Sequence, residues 1–243
     1  MRRILRIAGT TLVVVGVLML VWVVVVWRWQ DPFTAAYTHW KQHELASSYD
    51  HRFVAYKPSP APRTTISPAL ATKVLGEEAR RYRLESRRGQ AIGRIRVPRL
   101  GLNMIFVNGT DSASLEKGPG RDLRTYMPGE GQLIYIAGHR TTYLAPFAHI
   151  DSLKPGDLIV LEVPYGTFRY RVYRHLIVPA DDLAALRSSG REVVALQACH
   201  PRFFASHRYI VYGRLAQVAP RGGHAFTPPS TSLTAAPLAA TQG

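Results

Sequence analysis

An uncharged apolar run near the amino terminus limits what this chain can be. It covers residues 7–27, 21 positions without Asp, Glu, Lys or Arg, and at about 1.5 Å per helical residue it matches the roughly 30 Å hydrocarbon core of a bilayer. A cleaved signal peptide usually has an apolar region of only about 7 to 15 residues followed by small residues. Here Arg28, Trp29 and Gln30 follow instead. The run therefore predicts an uncleaved transmembrane anchor over residues 7–29.

The charges around this run predict its orientation. Arg2, Arg3 and Arg6 precede it, and the preference for basic residues on the cytoplasmic side keeps residues 1–6 in the cytoplasm. The chain is then a single-pass protein of the plasma membrane with its main body outside. That body is also basic, because the formal charge of the whole chain is +15. A basic protein surface favours binding to nucleic acid, acidic lipid or an acidic wall polymer. The predicted topology excludes nucleic acid as a partner.

The remaining chain divides into three predicted parts. Residues 30–68 are predicted as a stalk or linker, since they end in the proline-rich stretch KPSPAPRTTISP, which favours an extended spacer. Residues 69–218 form the predicted catalytic domain, which an amphipathic helix over residues 69–88 opens. Residues 219–243 are rich in Pro, Thr and Ala with almost no charge. They have too little core-forming material and are predicted to be a disordered tail.

The folded part is predicted to be mainly β. Its strand-like segments are rich in β-branched and aromatic residues, which favours a closed or nearly closed β-barrel. Seven such segments occur: AIGRIRVP, NMIFV, QLIYIA, DLIVLEV, TFRYRVYRHLIV, REVVALQA and HRYIVYGRLAQV. Short helices are expected at residues 112–117, 145–153 and 181–187, where Asp181 or Asp182 can cap the first turn.

The single cysteine, Cys199, is the main candidate for chemistry. It cannot form an internal disulfide, so it is either a buried structural thiol or a reactive one. It ends the strand REVVALQA and precedes His200-Pro201, while His139 ends the strand QLIYIAG. Arg208 opens the last strand, where a guanidinium can stabilise a thiolate or an oxyanion. Each residue alone has a plainer structural interpretation, but together they provide a nucleophile, a proton carrier and a fixed positive charge.

Two longer stretches resemble a known family. AGHRTTYLAPFAHIDSLKPGD is similar to the histidine segment of sortases, and LQACHPRFFASHRYIVYGRL to their cysteine and arginine segment. The similarity covers about residues 91–215, includes IRVPRLGLN, VNGTDSASLEKGPG and MPGEGQ, and in detail is greatest to the class E sortases of actinobacteria. It implies an eight-stranded sortase-type β-barrel, one strand more than the segments counted above.

The resemblance also implies a function and a set of roles. Cys199 would be the acyl-thioester nucleophile, His139 the proton donor and acceptor, and Arg208 the oxyanion or substrate stabiliser. The protein would then be a membrane-anchored cysteine transpeptidase. It would cut secreted proteins at the Thr–Gly bond of a C-terminal sorting signal, Leu-Ala-x-Thr-Gly or Leu-Pro-x-Thr-Gly, and pass them to an amine of a peptidoglycan precursor or a pilin. No cofactor and no metal is implied.

The chain departs from the family pattern beside the nucleophile. The usual Thr-Leu-x-Thr-Cys reads Ala195-Leu196-Gln197-Ala198-Cys199. In the family the threonine next to the cysteine borders the substrate groove, so Ala198 puts the preference for a sorting signal, and the rate, in doubt. This motivates a second hypothesis, a catalytically impaired sortase-like domain that binds a peptide or partner in its groove.

Two other kinds of site fit the residue types less well. L,D-transpeptidases also combine His, Gly and Cys, but they place an arginine almost directly after a Gly-Cys pair, whereas Ala198 precedes Cys199 here. A zinc site from His139, Cys199, His200 and His207 is possible by ligand type, but no pair has the usual zinc spacing.

Overall fold

A computed structural model describes residues 2–29, 32–58 and 67–228. Three helices come first: α1 (Arg2–Trp29), α2 (Pro32–Ala55) and α3 (Pro68–Glu85). Within α1, the stretch Arg2–Val25 is long and apolar enough to cross a membrane, and none of it is buried against the rest of the protein. The predicted helix over residues 69–88 corresponds to α3, which begins where Ser67 Oγ accepts a hydrogen bond from Leu70 N at 3.3 Å.

Eight strands close into one barrel, and this confirms the predicted mainly-β, eight-stranded fold. In chain order the elements are β1 (Ala91–Val97), β2 (Leu102–Asn108), α4 (Ser112–Leu115), β3 (Gly120–Arg121), β4 (Leu133–Ala137), β5 (Leu158–Val163), β6 (Gly166–Pro179), β7 (Val193–His200) and β8 (His207–Pro220). Around the barrel the order is β1-β2-β3-β4-β7-β8-β6-β5. Apolar side chains of alternate strand positions fill the interior, with Phe106, Phe168 and Tyr170 among the fully buried ones, and Phe147 from the β4–β5 connection joins them.

The short helices are shorter than expected. The segment 112–117 contains α4, but 145–153 holds only the 3₁₀ helix Ile150–Ser152 and 181–187 only the 3₁₀ helix Leu183–Leu186. Asp182 caps the latter, since its carboxylate accepts from Ala184 N at 2.8 Å. At the start of the segment 145–153 the reason is the backbone conformation. Tyr143, Leu144 and Ala145 all have positive φ, a conformation that no right-handed helix can include.

The segment predicted as a stalk contains a helix that packs on the barrel. Helix α2 buries Thr38 and Tyr49, whose exposed fractions are 0% and 1%. Gln42 accepts a hydrogen bond from Ile105 N at 2.7 Å and donates to Ile105 O at 2.9 Å. Tyr49 packs with Ala91 and Ile105, and the partly buried Leu45, Ala46 and Phe53 extend this apolar contact along α2. The proline-rich spacer is confined to the residues after α2, and residues 59–66 of it lie outside the described ones.

The end of the domain also extends past its predicted limit of residue 218. Strand β8 continues to Pro220, and the chain turns back so that Phe226 and Val218 exchange two backbone hydrogen bonds of 2.8 and 2.9 Å. Arg221 donates to the carbonyls of Phe53 and Tyr56 at the end of α2. Of the predicted tail, residues 229–243 lie outside the described part of the chain.

Candidate active site

Strands β7 and β8 place Cys199 and Arg208 side by side. The two residues are direct partners in the antiparallel register, and directly opposed residues of an antiparallel pair project from the same face of the sheet. Both are partly exposed. The side chains of Cys199 and Arg208 therefore project toward the same side of the sheet.

His139 reaches the same place through a parallel pair. Strand β4 pairs with β7 so that Leu133 faces Val193 and Ala137 faces Gln197, and one further ladder bond joins Gly138 N to Gln197 O at 3.0 Å. Two residues beyond the Ala137–Gln197 pair, the same register brings His139 level with Cys199. The expectation that two strand ends converge despite their distance in sequence is met by this register.

The three residues line one groove of about 250 Å³. Its floor comes from β4 and β7, and the 3₁₀ helix Leu183–Leu186 forms one side. The other lining residues are Thr110, Leu115, Asp122, Arg124, Tyr135, Ala137, Gly138, Ala180, Asp182, Leu183, Leu186 and Gln197. The groove is therefore lined by both polar and apolar side chains.

Burial makes His139 a poorer cation than a solvated histidine. Its ring lies 5.0 Å from that of Tyr143, and within the described part of the chain its buried Nε2 has no hydrogen-bond partner. Desolvation lowers the pKa of His139, and the carboxylate of Glu116 opposes that shift by favouring the imidazolium. A nitrogen in this setting is able to take up and release a proton.

The loop between β7 and β8 holds Arg208 at the rim of the groove. Arg208 Nη1 donates to Ala205 O at 2.8 Å and to His207 O at 3.1 Å. Phe203 and Ala205 in the same loop have positive φ, 75° and 54°, a conformation that L-residues with side chains seldom adopt. Such backbone outliers concentrate at functional sites, and this loop joins Cys199 to Arg208.

The structure places Ala198 away from the groove. Its exposed fraction is 0% and it packs among the interior residues of the barrel, such as Leu196, because alternate residues of β7 project to opposite faces. Ala195 is equally buried, in a small cluster on the outer face that includes Tyr135 and Ile210. The family pattern predicts that position 198 borders the groove, but the side chain of Ala198 does not line it. The replacement of the family threonine by Ala198 is therefore no reason, on this ground, to expect a changed preference for the sorting signal.

Sequence reasoning missed three residues around the site. Glu116 and Tyr143 act on His139 as described above. Arg140 follows His139 directly but is only 5% exposed. Its sequence context, a polar run in a basic chain, predicts a solvent-exposed arginine instead. Neither the Coulombic contact of Glu116 nor the burial of Arg140 has a local sequence signal, because both depend on elements distant in the chain.

The residues considered for zinc do not form a cluster. Among residues 2–29, 32–58 and 67–228 no group of three or more His, Cys, Asp and Glu side chains is arranged to hold a metal ion. The set of His139, Cys199, His200 and His207 is therefore not brought together as ligands.

Comparison with known proteins agrees with this geometry. A family model described as a sortase domain matches residues 95–216, half of the chain, and includes all three site residues. The chain belongs to the sortase family. The resemblance stated from the sequence is thereby confirmed, with class E as one of several similar classes.

Two curated sortases show the range of the similarity. Sortase D of Bacillus subtilis is 35% identical over 130 residues, which cover 52% of this chain and 64% of that protein. Sortase SrtE1 of Streptomyces coelicolor is 29% identical over 150 residues, covering 55% of this chain and 42% of that protein. The match thus spans less than two thirds of the length of either sortase.

Solved sortase structures share the fold. Sortase E1 from Streptomyces coelicolor, with a tripeptide in its active site, superposes with a TM-score of 0.52 at 28% identity, over 55% of this chain and 93% of that one. The SrtF sortase from Corynebacterium diphtheriae gives a TM-score of 0.54 at 26% identity, over 56% of this chain and 90% of that one. The region shared with these sortases is thus about half of this chain.

Proposed function

We propose that this chain is a membrane-anchored cysteine transpeptidase that joins secreted proteins to the cell wall. The observation that carries the proposal is the meeting of Cys199, His139 and Arg208 in one groove, at the ends of β7 and β4 and the start of β8. A thiol, a partly buried imidazole and a guanidinium form the set that acyl transfer through a thioester needs. Membership of the sortase family supports the same reaction.

The proposed first step is acylation. The Cys199 thiolate attacks the carbonyl carbon of the threonine in the Thr–Gly bond of a sorting signal, and Arg208 stabilises the oxyanion that forms. The C–N bond then breaks, and the leaving glycine amine takes a proton from the His139 imidazolium. The result is a thioester between Cys199 and the protein, with His139 neutral.

The proposed second step is transfer to an amine. A primary amine of a peptidoglycan precursor, or of a pilin lysine, attacks the thioester while neutral His139 accepts its proton. The C–S bond breaks, which restores the Cys199 thiolate and the imidazolium. The reaction is redox-neutral and its protons balance over the two steps. We propose Leu-Ala-x-Thr-Gly, with Leu-Pro-x-Thr-Gly as the second choice, as the signal.

The proposed location is the outer face of the plasma membrane. Helix α1 supplies an apolar stretch of sufficient length, and Arg2, Arg3 and Arg6 before it favour a cytoplasmic amino terminus. The secreted substrate and the wall precursor are then on the same side of the membrane as the groove. Cleavage of the barrel by protease added to intact cells, with the amino terminus protected, would test this topology.

The activity test uses the full chain in detergent, as wild type and as Cys199→Ala. Each is incubated with fluorogenic Leu-Ala-x-Thr-Gly and Leu-Pro-x-Thr-Gly peptides and an amine acceptor, and the products are identified by mass spectrometry. The expected result is cleavage at Thr–Gly, a thioacyl adduct on Cys199, and an amide product that the variant does not form. A folded wild-type protein that binds the peptides without forming adduct or product would instead support the impaired, groove-binding domain.

A further inference from the structure

Arg140 is a buried charge that the proposed chemistry does not use. Its guanidinium makes contacts on three sides. Nη1 lies 3.0 Å from His200 Nδ1 and 3.4 Å from Cys199 O, and Nη2 lies 2.8 Å from a carboxylate oxygen of Asp151. The carbon at its centre is 5.9 Å from the centroid of the Tyr209 ring. An arginine that is only 5% exposed is rare in proteins unless its partners are fixed.

These contacts lie on the other side of the sheet from the groove. Successive residues of a strand point to opposite faces, so Arg140 and His200 project away from the face that carries His139 and Cys199. The last ladder bond between β4 and β7 is the one from Gly138 N to Gln197 O, 3.0 Å long. Beyond that bond, Arg140 provides the next direct link between the segments that continue β4 and β7. It joins the residue after His139 to the backbone of Cys199.

We propose that Arg140 is a positioning residue that sets the distance between the acid/base and the nucleophile. This inference rests on the proposed transpeptidase function, since it concerns the geometry of the same Cys199–His139 pair. The guanidinium ties the end of β4 to the carbonyl of the nucleophile and to the ring of the next residue, His200. Displacement of a reacting group by about 1 Å can lower a rate by roughly 100-fold, so a link at this point affects chemistry more than binding.

Asp151 holds the guanidinium in place. It lies in the 3₁₀ helix Ile150–Ser152, and its side chain is 52% exposed, so it reaches Arg140 from the solvent side. A buried guanidinium without a carboxylate partner is strongly unfavourable. The pair also defines the role of the His200 ring. Because Arg140 can only donate, His200 Nδ1 must accept, which leaves the ring proton on Nε2.

A purely structural ion pair would behave differently, and the molecule contains a matched one. Arg83 and Glu130 form a cross-element pair of the same length, 2.8 Å, also partly buried. Glu130 precedes β4, at the end of that strand away from His139. Arg83→Gln should lower stability without changing the chemistry. It therefore serves as the control for Arg140→Gln.

The experiment compares wild type, Arg140→Gln, Arg140→Lys, Asp151→Asn and Arg83→Gln as full chains in detergent. Thermal unfolding first establishes that each variant is folded. Steady-state kcat and KM are then measured with the cleaved peptide, together with the alkylation rate of Cys199 by iodoacetamide as a function of pH. Alkylation reports on one site, because the chain has one cysteine, and it needs no turnover.

Arg140→Gln is expected to lower kcat by roughly 10- to 100-fold with KM within about twofold, and to shift the midpoint of the alkylation profile. Arg140→Lys should restore little of the lost kcat, since an ammonium on a flexible stem cannot bridge His200 and Asp151 as a planar guanidinium does. Asp151→Asn, at an exposed position, should give a weaker form of the same change. Arg83→Gln should leave kcat and the alkylation profile as in wild type.

Wild-type kcat and an unshifted alkylation profile in folded Arg140→Gln would overturn the proposal, as would full recovery by lysine. If Arg140→Gln does not fold, Asp151→Asn decides by the same two readouts. A wild-type protein that turns over no peptide would count against the proposed function alone, because the alkylation profiles still measure whether Arg140 positions Cys199.

Discussion

At the scale of single residues, the site depends on how His139 is kept able to carry a proton. In the proposed acylation step His139 acts as the imidazolium, but desolvation lowers the pKa of His139. Glu116, whose backbone carbonyl also accepts a 2.9 Å hydrogen bond from Thr38 of α2, favours the charged form. Burial and the carboxylate of Glu116 therefore act on the pKa of His139 in opposite directions.

Replacing Glu116 by Gln should therefore lower the pKa of His139 further. Less imidazolium is then present at pH 7, and the limb of the acylation pH profile that reflects its loss moves to lower pH. We expect a drop of roughly twofold to tenfold in the acylation rate at pH 7, recovered on acidification. NMR titration of the His139 ring and the pH–rate profile measure the change, with Glu44→Gln on the exposed face of α2 as control. An unchanged or higher midpoint would contradict it.

A second titrating residue lies at the opposite end of the barrel. The carboxylate of Glu192 accepts from Gly129 N at 2.9 Å, Gly131 N at 3.0 Å and Tyr170 OH at 2.8 Å. Desolvation nevertheless raises the pKa of Glu192 to about 7. Because the folded state then binds a proton more tightly than the unfolded state, the contribution of Glu192 to stability is greatest below its unfolded pKa and is lost as pH rises toward 7.

Glu192→Gln should remove this pH dependence. We expect the free energy of unfolding of the wild type, relative to the variant, to fall by about 1–3 kcal/mol between pH 4 and pH 8. Urea unfolding at several pH values measures the difference. A wild-type protein that gains stability over the variant as pH rises would show that the three hydrogen bonds to the carboxylate outweigh its desolvation.

At the scale of elements, helix α2 completes the sheet. Strand β2 pairs with β3 only at Val107 and Asn108, so the rest of that edge is open. Gln42 covers it, since its amide bonds to Ile105 N and O and donates to Lys117 O at 2.7 Å. Covering an exposed edge is a common way to prevent strands of different molecules from pairing.

Gln42→Glu should release this edge. The carboxylate keeps the acceptor for Ile105 N but loses both donors and faces two carbonyl oxygens. We expect a loss of about 2–4 kcal/mol in the free energy of unfolding, measured by chemical denaturation, with His43→Gln on the exposed side of the same helix as control. Equal stabilities of the two variants would mean that α2 does not fold together with the barrel.

The elements that sequence patterns reveal are those whose signal is local. The seven predicted segments match seven strands because alternation and β-branched residues mark them. Strand β3 has only two residues, Gly120 and Arg121, and no pattern exists over so short a length. The docking of α2 was not predicted for another reason. Its apolar contacts are few, centred on Tyr49 and Phe53, and its polar contacts through Gln42 and Thr38 go to backbone atoms of distant segments, which a polar side chain does not indicate in the sequence. Cys199, His139 and Arg208 could be named as candidates because the sequence segments that carry them are continuous, and their catalytic roles stay a prediction.

At the scale of the whole molecule, the groove is held close to the anchor. Thr34 Oγ1 accepts a 3.2 Å hydrogen bond from Tyr143 N, and Tyr143 is the residue whose ring lies beside His139. Thr34 is only five positions after Trp29, the end of α1. Even fully extended, five residues span at most about 18 Å. If α1 crosses the membrane as proposed, the groove works near the lipid surface.

Lengthening the link between α1 and α2 should separate two kinds of substrate. A helical insert of 15 residues between residues 30 and 31 adds up to about 22 Å. In proteoliposomes we expect an unchanged kcat/KM for a soluble peptide and a lower transfer rate for a substrate anchored in the same bilayer. An insert of flexible Gly and Ser residues of equal length serves as a comparison. Equal rates with the anchored substrate for all three proteins would show that this short link has no effect on catalysis.

The parallel pairing of β4 with β7 also bears on the order of events as the chain folds. Parallel strands need a long connection, and here β5 and β6 lie between the two partners, so the contact has a high sequence separation. Contacts of this kind form slowly, because the entropy of closing the loop must be overcome first. If the chain is exported as proposed, Cys199 and His139 are therefore apart until this pairing forms. Under the proposed function, the Cys199–His139 pair is complete only after β7 has joined the barrel, so acyl transfer has to wait until the protein has folded.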